Sequence, residues 1–226
     1  DVGSITGTLT SGGRTDDTNL TVRVSLTGTN AVAGDTVQLY NGEASQGTAY
    51  TLQAADIAAG YANVATGALA EGTYTLTAKV IDIAGNASAA SGSFTTTVDT
   101  TAPDAPTIDA VTDSVGSITG TLTSGGRTDD TNLTVRVSLS GTSAVAGDTI
   151  QLYNSTTAVG TAYTLLAADI TSGYADVVTG TLTNGTTYAL NAKVIDIAGN
   201  ASTASGSFTT TVDTTAPSAP TNSRTS

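Results

Sequence analysis

The stretch Val2 to Leu26 recurs letter for letter as Val115 to Leu139, and Ser91 to Pro103 recurs as Ser205 to Pro217. The offset is 113 residues, rising to 114 after a one-residue insertion near Thr186. A period above about 100 residues is too long for a solenoid unit and has the size of a whole domain. Each copy must therefore close its own core. The expected organisation is a first domain at 1–103, a linker at 104–113, a second domain at 114–217 and a tail at 218–226. Because Thr215 to Thr221 read as the opening of another linker, the chain is expected to belong to a longer array. Its partners are then neighbouring copies in the same polypeptide, with the chain itself a monomer.

Composition says what fills those domains. Charged residues make up 12% of the chain, about half the usual globular share, while hydrophobic residues reach 38%. The polar bulk is Thr, Ser, Asn and Gly: Thr suits a pleated, half-buried face, and Gly and Asn suit turns. There are 19 acids against 7 bases, a formal net charge of −12, and 17 of the acids are Asp. Nucleic acid is excluded as a partner, since phosphate binding needs a basic face. The absence of Cys, Met, Trp and His removes disulfides, zinc sites and every His-based acid or base. No apolar run approaches the ~18 residues of a membrane helix, so no membrane insertion is expected.

Leu20, Val22, Val24 and Leu26 alternate with Thr21, Arg23 and Ser25, the period of two that buries one face of a strand. The same reading places strand A around Ile5 to Leu9, B at Leu20 to Leu26 and C at Val37 to Tyr40. It continues with D around Tyr50 to Leu52, E around Ala62 to Thr66, F at Tyr74 to Val80 and G at Phe94 to Val98. Seven short strands predict an all-β fold, two tandem immunoglobulin-like sandwiches joined end to end by a short Pro- and Asp-containing linker. A Tyr just after a Gly turn at the start of F, Tyr74 in one copy and Tyr188 in the other, fits a tyrosine corner, although an ordinary buried Tyr reads equally well. Leu76 and Leu190 fall where antibody domains carry a cysteine, so the core is expected to rest on aliphatic packing.

The segments DDTNLTVRVSL, AGDTVQLYN, GTYTLTAKVIDIAGN and FTTTVDTTAPDAP together resemble the bacterial immunoglobulin-like extender repeats of giant RTX-type adhesins. That resemblance implies secretion by a type I system, an extracellular place on a bacterial cell surface, and service in attachment and biofilm formation. It also implies Ca²⁺ at or near the junctions between repeats.

The acids can be sorted by pole. In immunoglobulin order the AB and EF loops and the end of G share one end, while the BC and FG loops and the start of A share the other. The first end of repeat one would collect Asp16, Asp17, Glu71 and Asp99; the second end of repeat two would collect Asp148, Asp196, Asn200 and Asp113, with Asp104 and Asp109 between. Asp35, Asp82, Asn86, Asp129, Asp130 and Asp213 complete the candidate metal ligands. Crowded carboxylates repel unless a cation intervenes, and calcium takes six to eight oxygen ligands. The competing reading is local: Asp16 in TDDTN and Asp82 in DIAGN are also good turn residues whose oxygens accept from backbone amides. No EF-hand or GGxGxD pattern is present.

Catalysis finds no footing: the two lysines, Lys79 and Lys193, lie in strand F with no evident partner, so no catalytic residues are expected. A carbohydrate- or ligand-binding module is the alternative to a spacer, with Tyr40, Tyr50, Tyr61 and Tyr153 as stacking faces. The spacer reading is favoured because aromatics are only 4% of the chain and most of these tyrosines sit on alternating strand positions.

Overall fold

A computed structural model describes residues 7–117 and 119–222. By internal contact the chain forms two compact units, Asp1–Thr101 with Ile197–Asn200, and Ala102–Asp196 with Ala201–Ser226.

In the first unit β1 (Gly13–Thr15) is followed by β2 (Thr21–Ser25), β3 (Thr36–Asn41) and β4 (Ala44–Thr51). A six-residue helix α1 (Ala54–Ala59) leads to β5 (Tyr61–Ala65), β6 (Gly72–Ile81) and β7 (Phe94–Val98). One sheet has the order β1-β7-β6-β3-β4, and β2 pairs with β5 in a second, two-stranded sheet. The second unit opens with β8 (Thr107–Asp113), β9 (Gly120–Thr121) and β10 (Gly126–Thr128). It continues with β11 (Thr134–Ser138), β12 (Thr149–Asn154), β13 (Thr157–Thr164) and α2 (Ala167–Ser172). β14 (Tyr174–Val178), β15 (Thr187–Ile195) and β16 (Phe208–Val212) complete it. Its five-stranded sheet, β10-β16-β15-β12-β13, repeats that of the first unit, but its other sheet has four strands, β14-β11-β8-β9.

Strands B, C, E, F and G appear as β2, β3, β5, β6 and β7 within a residue or two of their expected positions. Three features differ. The segment around Tyr50, expected as strand D beside E, is the end of an eight-residue strand that pairs with C (Val37↔Tyr50, Tyr40↔Ser45). The reason is the two-residue connection between β3 and β4, which can close only a hairpin. The stretch 104–113, expected as a linker, contains β8, which pairs antiparallel with strand B of the second unit (Val135↔Val111, Val137↔Ile108). Val111 is fully buried there and Ile108 packs against the core, so apolar burial overrides the spacer-like look that Pro103 and Pro106 give the segment. Strand A, expected around Ile5 to Leu9, is not formed there: Ile5 and Thr6 lie outside the described residues, 7–9 form no strand, and in the second copy the equivalent place holds only the two-residue β9, while β8 takes the position of strand A beside strand B.

Helices α1 and α2 were not expected. Each is one turn held at both ends: the Asp169 carboxylate accepts from the backbone N–H of Leu166 at 2.8 Å, and Gly173 closes the turn at φ 77°. Gly160 shows why glycine is needed inside β13: at φ 70°, a Cβ there would stand 2.7 Å from the Val178 carbonyl oxygen. The close approach lies beside the register shift between Ile150 and Leu152.

The second core gathers Leu133, Val135, Val137, Ile150, Leu152 and Leu190, all with no exposed surface. Leu76 and Leu190 are both buried, so aliphatic side chains fill the positions flagged for disulfide replacement. Tyr74 Oη donates to the Ala70 carbonyl at 3.0 Å, while Tyr188 Oη accepts from the Thr183 N–H at 2.8 Å. Both bonds tie the start of strand F to backbone four or five residues upstream, as a tyrosine corner does.

If β8 is part of the second core, Val111→Asp places an uncompensated carboxylate among aliphatic side chains and should cost that unit several kcal/mol. Calorimetry of the full chain should show one transition falling sharply while the other stays.

Candidate functional site

In the first unit β1 runs parallel to β7, pairing Thr15 with Val98, and β6 places Gly72 opposite Val98. The turn after β1, the turn before β6 and the end of β7 therefore come to one pole. Asp16, Asp17, Glu71 and Asp99 lie at that pole. The Asp99 N–H donates to the Thr15 carbonyl at 2.9 Å, and the Asp99 carboxylate accepts from Arg14 Nη1 at 3.2 Å. Asp17 is buried, with Oδ1 accepting from the Asn19 N–H at 2.9 Å. Glu71 accepts from the hydroxyls of Thr101 at 2.7 Å and Thr100 at 3.1 Å. Those two hydroxyls hold its carboxyl below the usual range, the Thr101 bond contributing most.

Asp16 differs from its neighbours. Its Oδ1 is buried and has no hydrogen-bond partner, a costly condition for a carboxylate oxygen and one that a bound cation relieves.

Many other candidate ligands are engaged in turns. Asp35 and Asp148 are buried in equivalent loops, accepting from the Val32 N–H at 2.9 Å and the Val145 N–H at 2.8 Å. Asp82 accepts from both the backbone N–H and the side-chain amide of Asn86, each at 2.8 Å. The side-chain bond from Asn86, followed by its backbone bond, draws the Asp82 carboxyl below its ordinary pKa. Asp196 follows β15 and Asn200 precedes the bridge residue Ala201; both are half-buried. Asp213 accepts from Arg127 Nη1 at 3.0 Å, and Asp129 is exposed. Asp104 is exposed, and Asp109 lies on β8, accepting from the Thr107 hydroxyl at 3.0 Å.

Asp113 stands at the pole opposite to the expected one. It ends β8 and accepts from the buried Thr128 hydroxyl at 2.6 Å, beside Asp130 and away from the loops of Asp148 and Asp196. The shift follows directly from β8 being strand A: once residues 107–113 run through the sheet, their last residue emerges at the far end. Asp130 supports the same corner, accepting from the N–H and hydroxyl of Ser114 at 2.9 Å and from the Asn132 N–H at 2.7 Å.

Among the described residues, no three acidic side chains stand close enough together to hold a metal ion. A cation at the Asp16 pole would therefore complete its shell with hydroxyl, amide or carbonyl oxygens, as calcium readily does.

Sequence reasoning missed the cation–aromatic pairs. The Arg23 guanidinium lies 3.6 Å over Tyr61 and that of Arg136 4.0 Å over Tyr174, while Lys79 and Lys193 sit 5.3 and 5.8 Å over Tyr40 and Tyr153. Arg136 also forms a forked pair with Asp176, both bonds 2.8 Å. Only strand register brings these partners together, and neither their spacing nor their identity announces it. Each of these four tyrosines has one face covered, and Tyr50 donates its hydroxyl to Asp56 at 3.0 Å.

Residues 1–100 match the family model of the bacterial Ig-like domain. No curated protein matches the chain in sequence. Among solved structures it is similar to the fibronectin(III)-like modules of Clostridium thermocellum CbhA, with 17% identity, TM-score 0.50 and coverage of 90% of each chain. It also matches the chicken interferon gamma receptor alpha chain at 10% identity and TM-score 0.33, covering 85% of this chain and 96% of that one. The family match and the likeness to the fibronectin(III)-like modules, with the sheet topology above, give the fold as two tandem Ig-like sandwiches, a class that is typically non-catalytic. No helix among the described residues is long and apolar enough to cross a membrane.

Burial opposes the charged form of Asp130, but the amides of Ser114 and Asn132 and the Ser114 hydroxyl outweigh it, leaving its folded pKa below the ordinary value. A depressed carboxyl pKa contributes stability that is complete above its unfolded value near 4 and is lost as pH falls through the folded value. Urea midpoints of the second unit should therefore drop from pH 5 to pH 2, and Asp130→Asn should flatten that acid limb while lowering the midpoint at pH 7.

Proposed function

We propose that this chain is a pair of spacer repeats from a bacterial surface adhesin, extending a distal binding region away from the cell for adhesion and biofilm formation. The observation that carries the proposal is the duplication itself: two nearly identical Ig-like domains, each with its own buried aliphatic core, with their polar side chains engaged mainly in turns. The match of residues 1–100 to a bacterial Ig-like domain supports a structural or binding module. Such a module needs reach and resistance to bending, and each sandwich adds a domain length on the order of 40 Å.

Calcium is the stiffening agent in this proposal, held at the repeat joints. The unsatisfied Oδ1 of Asp16 supports it, with hydroxyl, amide or carbonyl oxygens of the same pole to complete the shell. A bound divalent ion would supply charge neutralisation there and nothing catalytic. The carbohydrate-binding alternative needs open aromatic faces, and the cations over Tyr40, Tyr61 and Tyr153 count against it.

Thermal unfolding in excess calcium and in chelator tests the ion. Ligand at about 100 times its dissociation constant adds roughly 2.7 kcal/mol and should raise a midpoint by roughly 10 °C. Asp16→Asn should remove most of that rise. Small-angle scattering tests the spacer: an extended pair whose maximum dimension lengthens with calcium is expected, and identical profiles in calcium and chelator would sink the stiffening role.

A further inference from the structure

The second unit takes the chain in at one pole and lets it out at the other. β8 runs antiparallel to β11, from Thr107 beside Ser138 to Thr112 beside Thr134. β16 runs parallel to β10 and ends with Val212 beside Thr128, at the pole where β8 also ends. Tension along the polypeptide therefore pulls β8 and β16 lengthwise in opposite directions. A strand pulled along its axis loads all its cross-strand bonds together, whereas a strand peeled from one end breaks them one at a time. One buried residue joins the two loaded strands. The Thr128 hydroxyl donates to the Asp113 carboxylate at the end of β8, at 2.6 Å, and the Thr128 carbonyl accepts from the Asp213 N–H just past β16, at 2.8 Å. The same hydroxyl accepts from the Asp130 N–H at 3.0 Å, and Asp130 holds Ser114, the residue after β8, by two bonds of 2.9 Å. Around this node β10 is tied to β16 by Arg127 to Asp213 at 3.0 Å and by the Thr210 hydroxyl to the Gly126 carbonyl at 3.2 Å. The first unit repeats the β10–β16 links between β1 and β7, with Arg14 to Asp99 at 3.2 Å and Thr96 to the Gly13 carbonyl at 3.1 Å.

We infer that the terminal strands of the second unit form a shear clamp against tension along the chain, and that Thr128 is its node, coupling the strand by which the chain enters to the strand by which it leaves. The inference adds load bearing to the spacer reading and rests on it for the source of the tension. The exposed pair of Arg127 with Asp213 contributes little by itself. The bond from Thr128 to Asp113 is of the stronger, charge-assisted kind, and burial of both residues keeps water from replacing it while the strands are pulled. Neither terminal strand can slide before that bond opens, so its rupture belongs to the transition state of forced unfolding.

Single-molecule force spectroscopy of the full chain tests the clamp, with handles on one cysteine added at each end, the chain having no Cys of its own. Thr128→Val keeps the shape of the side chain and removes the hydroxyl. At constant force one of the two unfolding steps should become about tenfold faster, because a bond broken in the transition state appears wholly in the unfolding rate. The control is Thr179→Val. That hydroxyl is as deeply buried, accepting from the Leu133 N–H at 3.1 Å and donating to the Gly180 carbonyl at 2.9 Å, but it joins residues beside β11 and β14, neither of them a terminal strand. It should lower the urea midpoint of the second unit comparably and change the rate under force by less than about twofold. A second measurement leaves the core untouched: handles on cysteines at exposed Ser124 and Ser207, at the same end of β10 and β16, peel those strands apart and should open the unit at a lower force than end handles require. An unchanged rate in Thr128→Val, equal acceleration by Thr179→Val, or equal force in the two pulling directions would each overturn the clamp. The spacer reading fails separately, in the scattering profiles, whatever the rate under force.

Discussion

A strand buried between two neighbours must satisfy its backbone amides on both edges and its side chains on one face at once. Strand B of the second unit does so: β8 and β14 flank it, and Leu133, Val135 and Val137 are wholly buried. Everything else in that unit follows from this pairing. Because β8 completes the sheet, its end delivers Asp113 to Thr128, and the next turn delivers Ser114 to Asp130. A row of polar bonds at one pole is thus a consequence of apolar burial along the strand, not a separate design.

The same logic assigns work to the aspartates. An acid-rich chain of net charge −12 invites a reading in ions, yet most of the candidate carboxylates are spent on local amides. Asp35 and Asp148 close equivalent loops, and Asp82 caps its own turn with Asn86. A carboxylate that already accepts well-aligned N–H bonds gains less from a cation, which is why Asp16, with a buried oxygen left over, stands apart. The proposed calcium role therefore rests on a few residues at the pole of Asp16 and not on the acid content of the chain.

The outer sheet faces are held differently. Arg136 is clamped between Asp176 and the ring of Tyr174, and Arg23 lies on Tyr61 with Asn63 opposite it. Such exposed pairs add little stability each, but they order long side chains on a Thr-rich surface and cover ring faces that a sugar would use.

Period-two alternation in LTVRVSL and its neighbours was enough to fix the strands B, C, E, F and G, and the letter-for-letter repeat was enough to fix two domains of one kind. Those are local properties: a strand's buried face is written in consecutive residues, and a duplication is visible without any folding. The hairpin partner of the segment around Tyr50, the identity of Thr107–Asp113 as strand A, and the pole at which Asp113 emerges were decided only by tertiary structure. Each depends on which edge a strand finds, and edges are filled by residues far away in sequence. Prolines at 103 and 106 made the segment look like a spacer, because a short apolar pattern such as Ile108 and Val111 carries no sign of the partner that will bury it.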